Sequence, residues 1–277
     1  MVLAIASAII TANAYYIHPI IGRVADSFGV SHGLVGAVPA LNQVALALGV
    51  LLLLPLGDRV NNRRLVTVCL LMQVLALALM AAAQDFGLFL VGSAVLGFFT
   101  VTPYLLPAYA SKRVAATRLG FVTAVLTTGV VAGVQLSRLG SGAIGEYLGW
   151  RYVYLLAAGL MTLSTIAVPL LMDEDPPSKE PRNSYGQLIA SLLPLALAHR
   201  GVLVSGVIQG LSFAIFLAVW LGIGLHLVGP EFNLGTDTIG YLAGFSAIGL
   251  LLTPRLGRWA DRLGAERARL RFAIFQF

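Results

Sequence analysis

Long apolar stretches, each close to 20 residues and cut apart by short charged turns, recur along nearly the whole chain. A bilayer core takes roughly 20 apolar residues per helix, so this pattern leaves membrane-spanning helices as the dominant architecture. About eight spans satisfy that criterion, near 2–22, 33–56, 64–84, 86–110, 117–140, 152–172, 198–228 and 236–256. The alternative, a soluble helical protein, needs helices with a charged outer face at helical period, and these segments are apolar all round. With 58% apolar and 11% charged residues, there is too little polar surface to coat a soluble protein of 277 residues. The fold class expected is therefore an all-α integral membrane bundle. The first segment is about as long as a full span, so residues 1–22 read as an uncleaved first helix rather than a secretory leader.

Positive charge sets the expected orientation, because cytoplasmic loops hold the excess of Lys and Arg. With the N-terminus inside, Arg59, Arg63, Arg64, Lys112, Arg113, Arg118, Lys179, Arg182, Arg200 and the arginines of 255–271 all fall on the cytoplasmic side, and only Arg23 and Arg151 fall in outer loops. The expectation is a multi-pass protein of the cell (inner) membrane with both termini cytoplasmic. This asymmetry also accounts for the net charge of +6 without a nucleic acid partner. No basic stretch is interleaved with stacking aromatics. Cys69 is the single cysteine, which excludes a disulfide framework and a cysteine metal site. The chain shows no metal-ligand spacing, phosphate-binding glycine loop or Gly-x-Ser-x-Gly turn, so an enzyme and a nucleotide-driven pump are both disfavoured, and no cofactor is expected.

The stretch 173–183, with three prolines and dense charge, is the one clear linker. It divides the chain into an N-terminal six-helix bundle (1–172), a cytoplasmic linker (173–197) and a partial second bundle (198–277). The two sides partly repeat each other. Phe28-Gly29-Val30-Ser31-His32-Gly33 reads against Phe232-Asn233-Leu234-Gly235-Thr236-Asp237, and a charged turn follows in each copy: Gly57-Asp58-Arg59-Val60-Asn61-Asn62-Arg63 in the first, Gly257-Arg258-Trp259-Ala260-Asp261-Arg262 in the second. Parallel halves of about six helices mark one large class of secondary transporters.

Polar side chains inside the apolar segments are the candidates for a solute pathway. They are Asn13, Tyr15, Tyr16 and His18 in the first span, Asn42 and Gln43 in the second, Tyr104 in the fourth, Gln135 and Arg138 in the fifth, and Gln209 and Trp220 in the seventh. Any one of them reads equally as a cross-helix hydrogen-bonder. Arg138 stands out, because an unpaired Arg near the bilayer centre costs about 2.5–3.5 kcal/mol. It lies about 30 Å beyond Arg118 along a helix, in the outer third of the span or at the outer interface. Two readings stay open for it: a snorkelling interface residue, or a substrate or gating residue. In the second case an anionic or hydroxyl-rich solute suits it better than a cation.

At these residues the chain resembles the major facilitator superfamily, in particular its bacterial drug and sugar efflux branch. Asn13-Ala14-Tyr15-Tyr16-Ile17-His18-Pro19 resembles that branch's first helix, Pro55-Leu56-Gly57-Asp58-Arg59 its loop after helix two, and Leu148-Gly149-Trp150-Arg151-Tyr152-Val153-Tyr154 its approach to helix six. The resemblance implies a secondary active transporter of small organic solutes, exporting by alternating access, with protons as the coupled ion. It implies that helices one, two, four, five and seven line the cavity. It also implies a conformational latch at the charged turns, carried by Asp58, Arg59 and Arg63 and by Asp261 and Arg262, in which Asp58 meets a helix N-terminus of the opposite bundle. Glycine-rich helix five (Gly129, Gly133, Gly140, Gly142, Gly145) would let the halves rock, although Val134 stands where the family places proline. The family's acidic residue in helix one is missing here and its Arg in helix four reads Ser93, which leaves His18 as the expected coupling residue. Family members have about twelve helices, and this chain ends where a ninth would begin. It therefore reads as truncated after helix eight. Either it transports, or it is a non-transporting membrane remnant, or a second copy supplies the missing helices by self-association. The partners expected are the solute, membrane lipids and protons.

Overall fold

The computed structural model describes residues 2–111, 113–173, 184–229, 231–232 and 234–246. Within them seven segments are long and apolar enough to cross a bilayer: Val2–Phe28, His32–Leu56, Asn62–Ala82, Phe86–Ala110, Arg118–Tyr147, Trp150–Leu171 and Arg200–Val228. They are called the first to seventh spans below. Thr236–Ser246 is the described part of the eighth, and every regular element among the described residues is a helix. The second charged turn, with Asp261 and Arg262, lies outside the described residues, as do 174–183.

Local chemistry sets the boundaries. Gly29 adopts the left-handed conformation (φ 63°) that ends the first span, and Gly149 (φ 99°) makes the turn between the fifth and sixth. The side chains of Asn61 and Asp85 cap the third and fourth spans by accepting from Arg63 N and Leu88 N. Three boundaries differ from the sequence reading. The first span runs on to Phe28 and is interrupted at Asn13–Tyr16, where i→i−3 bonds such as Tyr15 N to Ala12 O (2.9 Å) replace helical ones. The fifth runs past the expected end near 140 and is helical to Tyr147, with Gly142 and Gly145 serving as close contacts to the eighth and first spans. Much of the expected linker is a helix, Tyr185–Ala198, nucleated by a capping box between Ser184 and Gln187 and carried by Leu and Ala.

The spans pair closely: third against sixth, second against fourth, first against fifth. Small residues make this possible. A Cβ at Gly129 or Gly133 would stand 2.3 or 2.2 Å from the carbonyl oxygens of Ala4 and Ala8, so only glycine permits the first and fifth spans to meet at that distance. Gly142 does the same for the eighth span, where a Cβ would stand 2.6 Å from the Thr236 carbonyl oxygen.

Two ends of the bundle follow from this alternation of helix directions. The Asp58 end carries the turn after the second span; the Glu146 end carries the turn between the fifth and sixth. The seventh span touches the rest mainly at the Glu146 end. A Cβ at Gly224 would lie 2.7 Å from the His18 carbonyl oxygen, and Gly224 is its one buried residue.

Candidate functional site

A cavity of about 560 Å³ occupies the middle of the bundle and its Asp58 half. Its wall is formed by Thr11, Ala14 and Tyr15 of the first span, Gln43, Leu46 and Leu54 of the second, Thr100, Pro103, Tyr104 and Pro107 of the fourth, Leu126, Thr127 and Val130 of the fifth and Phe213 of the seventh. These are the spans named from sequence, and the predicted residues Tyr15, Gln43 and Tyr104 meet here. The wall is mostly apolar with a few hydroxyl and amide groups, which is the composition of a small-molecule site.

The cavity ends at a cage. Arg138 is fully buried, nine residues before the fifth span ends at Tyr147, so it sits inside the helix rather than at the interface. Its guanidinium lies 4.2 Å from the ring centre of Trp220, 4.8 Å from Phe216 and 5.1 Å from Tyr15. Arg138 Nε donates to His18 Nδ1 (3.4 Å), so that ring nitrogen carries no proton in this arrangement. Nη1 has no partner. Three aromatic faces thus stabilise a buried cation where no described carboxylate reaches it. The cage joins the first and fifth spans to the seventh, across the two halves of the expected repeat.

Beyond the cage, toward the Glu146 end, a second cross-half contact closes the bundle. The Glu146 carboxylate pairs with Arg23 and accepts from both the backbone N (2.8 Å) and the hydroxyl (3.1 Å) of Thr236. Thr236 opens the eighth span, so the carboxylate sits where the helix dipole and unpaired N–H groups favour negative charge. The Gly142 carbonyl oxygen lies 2.9 Å from the same Thr236 hydroxyl and shares its single proton with the carboxylate. Tyr147 donates to Asp237 alongside (3.2 Å). Sequence reading looked for acids in the middle of spans and missed Glu146, because the fifth span was expected to end before it.

The other candidates divide. Asn13 and Asn42 are buried and occupied with packing: Asn13 Nδ2 donates to Gln73 Oε1 (3.1 Å), and Asn42 Nδ2 donates to Ser93 O (2.8 Å). Tyr16 faces a separate groove between the first, fifth and sixth spans, not the cavity, because the break at Asn13–Tyr16 turns the two adjacent tyrosines to opposite sides. Gln135 is half-buried one turn before Arg138, and Gln209 is exposed on the part of the seventh span that stands away from the bundle. Asp58 is exposed; Arg59 lies over the Tyr185 ring at 5.9 Å, so this turn contacts the linker helix. Arg63 lends its backbone N to the Asn61 cap.

Gln73 was overlooked as the one amide in the middle of the third span, a visible signal. It is fully buried and bridges two helix breaks: it accepts from Asn13 and from Thr100 Oγ1 (3.3 Å) and donates to Phe99 O (3.0 Å). Thr100 lies at the interruption of the fourth span, opposite that of the first.

Residues 3–277 match the family model described as Major Facilitator Superfamily. The uncharacterized transporter YgaY of Escherichia coli O157:H7 is 27% identical over 240 residues, 87% of this chain and 60% of its own length. The multidrug resistance protein MdtG of Escherichia fergusonii is 26% identical over 223 residues, 79% of this chain and 54% of its own. The chain thus spans little more than half the length of these relatives. Among solved structures, a bacterial homolog of the human lysosomal transporter Spinster, in an inward-facing and unoccupied conformation, superposes with a TM-score of 0.71 at 15% identity, over 96% of this chain and 62% of that one. That likeness concerns the fold.

Proposed function

The chain belongs to the Major Facilitator Superfamily, and on that premise we propose that this multi-pass membrane protein works as a secondary transporter exporting small organic solutes by alternating access. The observation that carries the reading is the asymmetry of the central cavity: it occupies the Asp58 half, while the Arg138 cage and the Glu146–Thr236 contact close the other. Export fits the name of the multidrug resistance relative. The arginine-rich Asp58 end lies on the cytoplasmic face of the inner membrane in this reading, with both termini on that side, so the cavity receives solute from the cytoplasm. Residues 1–172 act as one rocking bundle and residues from 198 onward belong to the other. Asp58, Arg59 and Arg63 form the cytoplasmic latch in the opposite state, together with Asp261 and Arg262.

Tyr15, Gln43 and Tyr104 contact the solute. Arg138 acts as a gate, because Trp220 and Phe216 must leave its guanidinium before the seventh span can swing. Protons couple through His18. A proton on Nδ1 would remove the acceptor of Arg138 Nε and set two cations about 3.4 Å apart, which favours the cage coming apart. Asn13 and Asn42 keep the cavity walls in register through their buried bonds, and Gln135 and Gln209 face the path only when the seventh span moves.

Proteoliposomes holding the chain and loaded with a fluorescent apolar dye test this under an imposed proton gradient. The proposal expects flux that is lost in Arg138→Ala and uncoupled from the gradient in His18→Ala. Stable insertion with no flux for any solute returns the non-transporting reading, and flux that appears only when two copies associate supports a bundle completed by self-assembly.

A further inference from the structure

Among the described residues, Arg138 is the one fully buried side chain that carries a fixed charge. No described carboxylate pairs with it, and no Asp or Glu lines the cavity among the described residues. Tyr15 belongs to both places: it lines the cavity and its ring lies 5.1 Å from the guanidinium. One turn of the seventh span links them as well, since Phe213 lines the cavity and Phe216 stacks in the cage. The cavity therefore has an apolar body, walled by Leu46, Leu126, Val130 and Phe213, and an end at Tyr15 behind which the buried Arg138 guanidinium lies.

We propose that the solute taken by this cavity is an amphiphilic organic anion, an apolar body with a single negatively charged head that is drawn to the Arg138 end. The proposal rests on reading the cavity as the solute site. In a low-dielectric interior, an unneutralised charge acts over several ångströms, so the head need not displace Tyr15 to be attracted. A cation meets the same field with the opposite sign and finds no carboxylate to offset it. The anion also explains how the cage can open. The aromatic faces of Trp220 and Phe216 hold the guanidinium while no counter-charge is present; an anion at the closed end supplies that charge and frees the seventh span to leave. Arg138 Nη1, which has no partner among the described residues, becomes a donor to it once the cage opens.

The test is binding to the full chain in lipid nanodiscs, followed by tryptophan fluorescence and corrected with empty nanodiscs, for three probes of one shape: hexanoate, hexanol and hexylammonium. The expected order is hexanoate first, hexanol about tenfold weaker and hexylammonium weaker again. Arg138→Gln should bring hexanoate and hexanol together, and Arg138→Lys should keep part of the gap. If hexanol or hexylammonium binds the unaltered chain as tightly as hexanoate, and Leu126→Trp blocks that binding, the cavity reading stands and the anion assignment is overturned. If Leu126→Trp blocks none of the three probes, the cavity is not the solute site and both readings fall. The comparison on the unaltered chain needs no variant to fold.

Discussion

The Asp58 end and the Glu146 end of the bundle are built on the same plan, a charged turn beside small-residue helix contacts, yet they behave differently. At the Glu146 end, a carboxylate reaches across to the N-terminus of the eighth span and glycine brings the backbones into contact. At the Asp58 end, Asp58 is exposed and the seventh span is exposed along its first turns. The difference teaches that close helix approach is what brings a carboxylate within hydrogen-bond reach of a helix N-terminus.

The comparison is broken most severely by bulk. Gly142→Leu should drive the eighth span off the fifth, because a Cβ there already falls 2.6 Å from the Thr236 carbonyl oxygen; overpacking of this kind costs about 1–3 kcal/mol or more. A cysteine in place of buried Ile239 should then become labelled many-fold faster. The same change at Gly120, near the Asp58 end, where nothing lies within 4 Å, should leave labelling untouched.

Next in size is Gln73→Leu, which leaves Asn13 Nδ2 without its acceptor and Phe99 O without its donor, while Thr100 keeps its bond to Leu96 O. Unpaired buried polar groups cost about 1–3 kcal/mol each, and the midpoint of thermal unfolding in detergent should fall by several degrees. An unchanged midpoint would mean that the two helix breaks do not depend on this bridge.

Smaller still is Glu146→Gln. The pair with Arg23 is partly exposed, so the loss is about 1 kcal/mol, a fivefold shift toward an open Glu146 end. The smallest effect is that of Asp58→Asn, below about 0.5 kcal/mol at the Glu146 end. Labelling at the Glu146 end of both variants ranks them, and an Asp58 effect as large as that of Glu146 would remove the distinction drawn here.

Much of this architecture was legible before any coordinates. The apolar runs give the spans directly, since a bilayer fixes their length, and the family motifs at Asn13–Pro19, Gly57–Arg59 and Leu148–Tyr154 point to the superfamily that residues 3–277 match. Arg138 was legible because a charge in an apolar helix has few neutral explanations. What sequence could not give is which face each residue takes. Tyr15 and Tyr16 are neighbours with the same chemistry, and the break in the first span sends one to the cavity and the other to an outer groove. Gln73 was hidden by its helix, since nothing in a lone amide says that two interrupted spans lie beside it. Glu146 was hidden because the apolar run gave a fifth span ending near 140, whereas the helix continues to Tyr147.

The central claim is that the two ends open in opposition, and paired spin-label distances test it most directly. With Cys69 replaced by alanine, labels at Asp26 and Tyr241 report the Glu146 end and labels at Val60 and Val204 report the Asp58 end. The account predicts a single short distance across the Glu146 end in the unaltered chain. Glu146→Gln should add a longer population there and, in the same sample conditions, a shorter one across the Asp58 end. Distances that lengthen together at both ends, or a Glu146 end that is already broad and indifferent to the substitution, would contradict it.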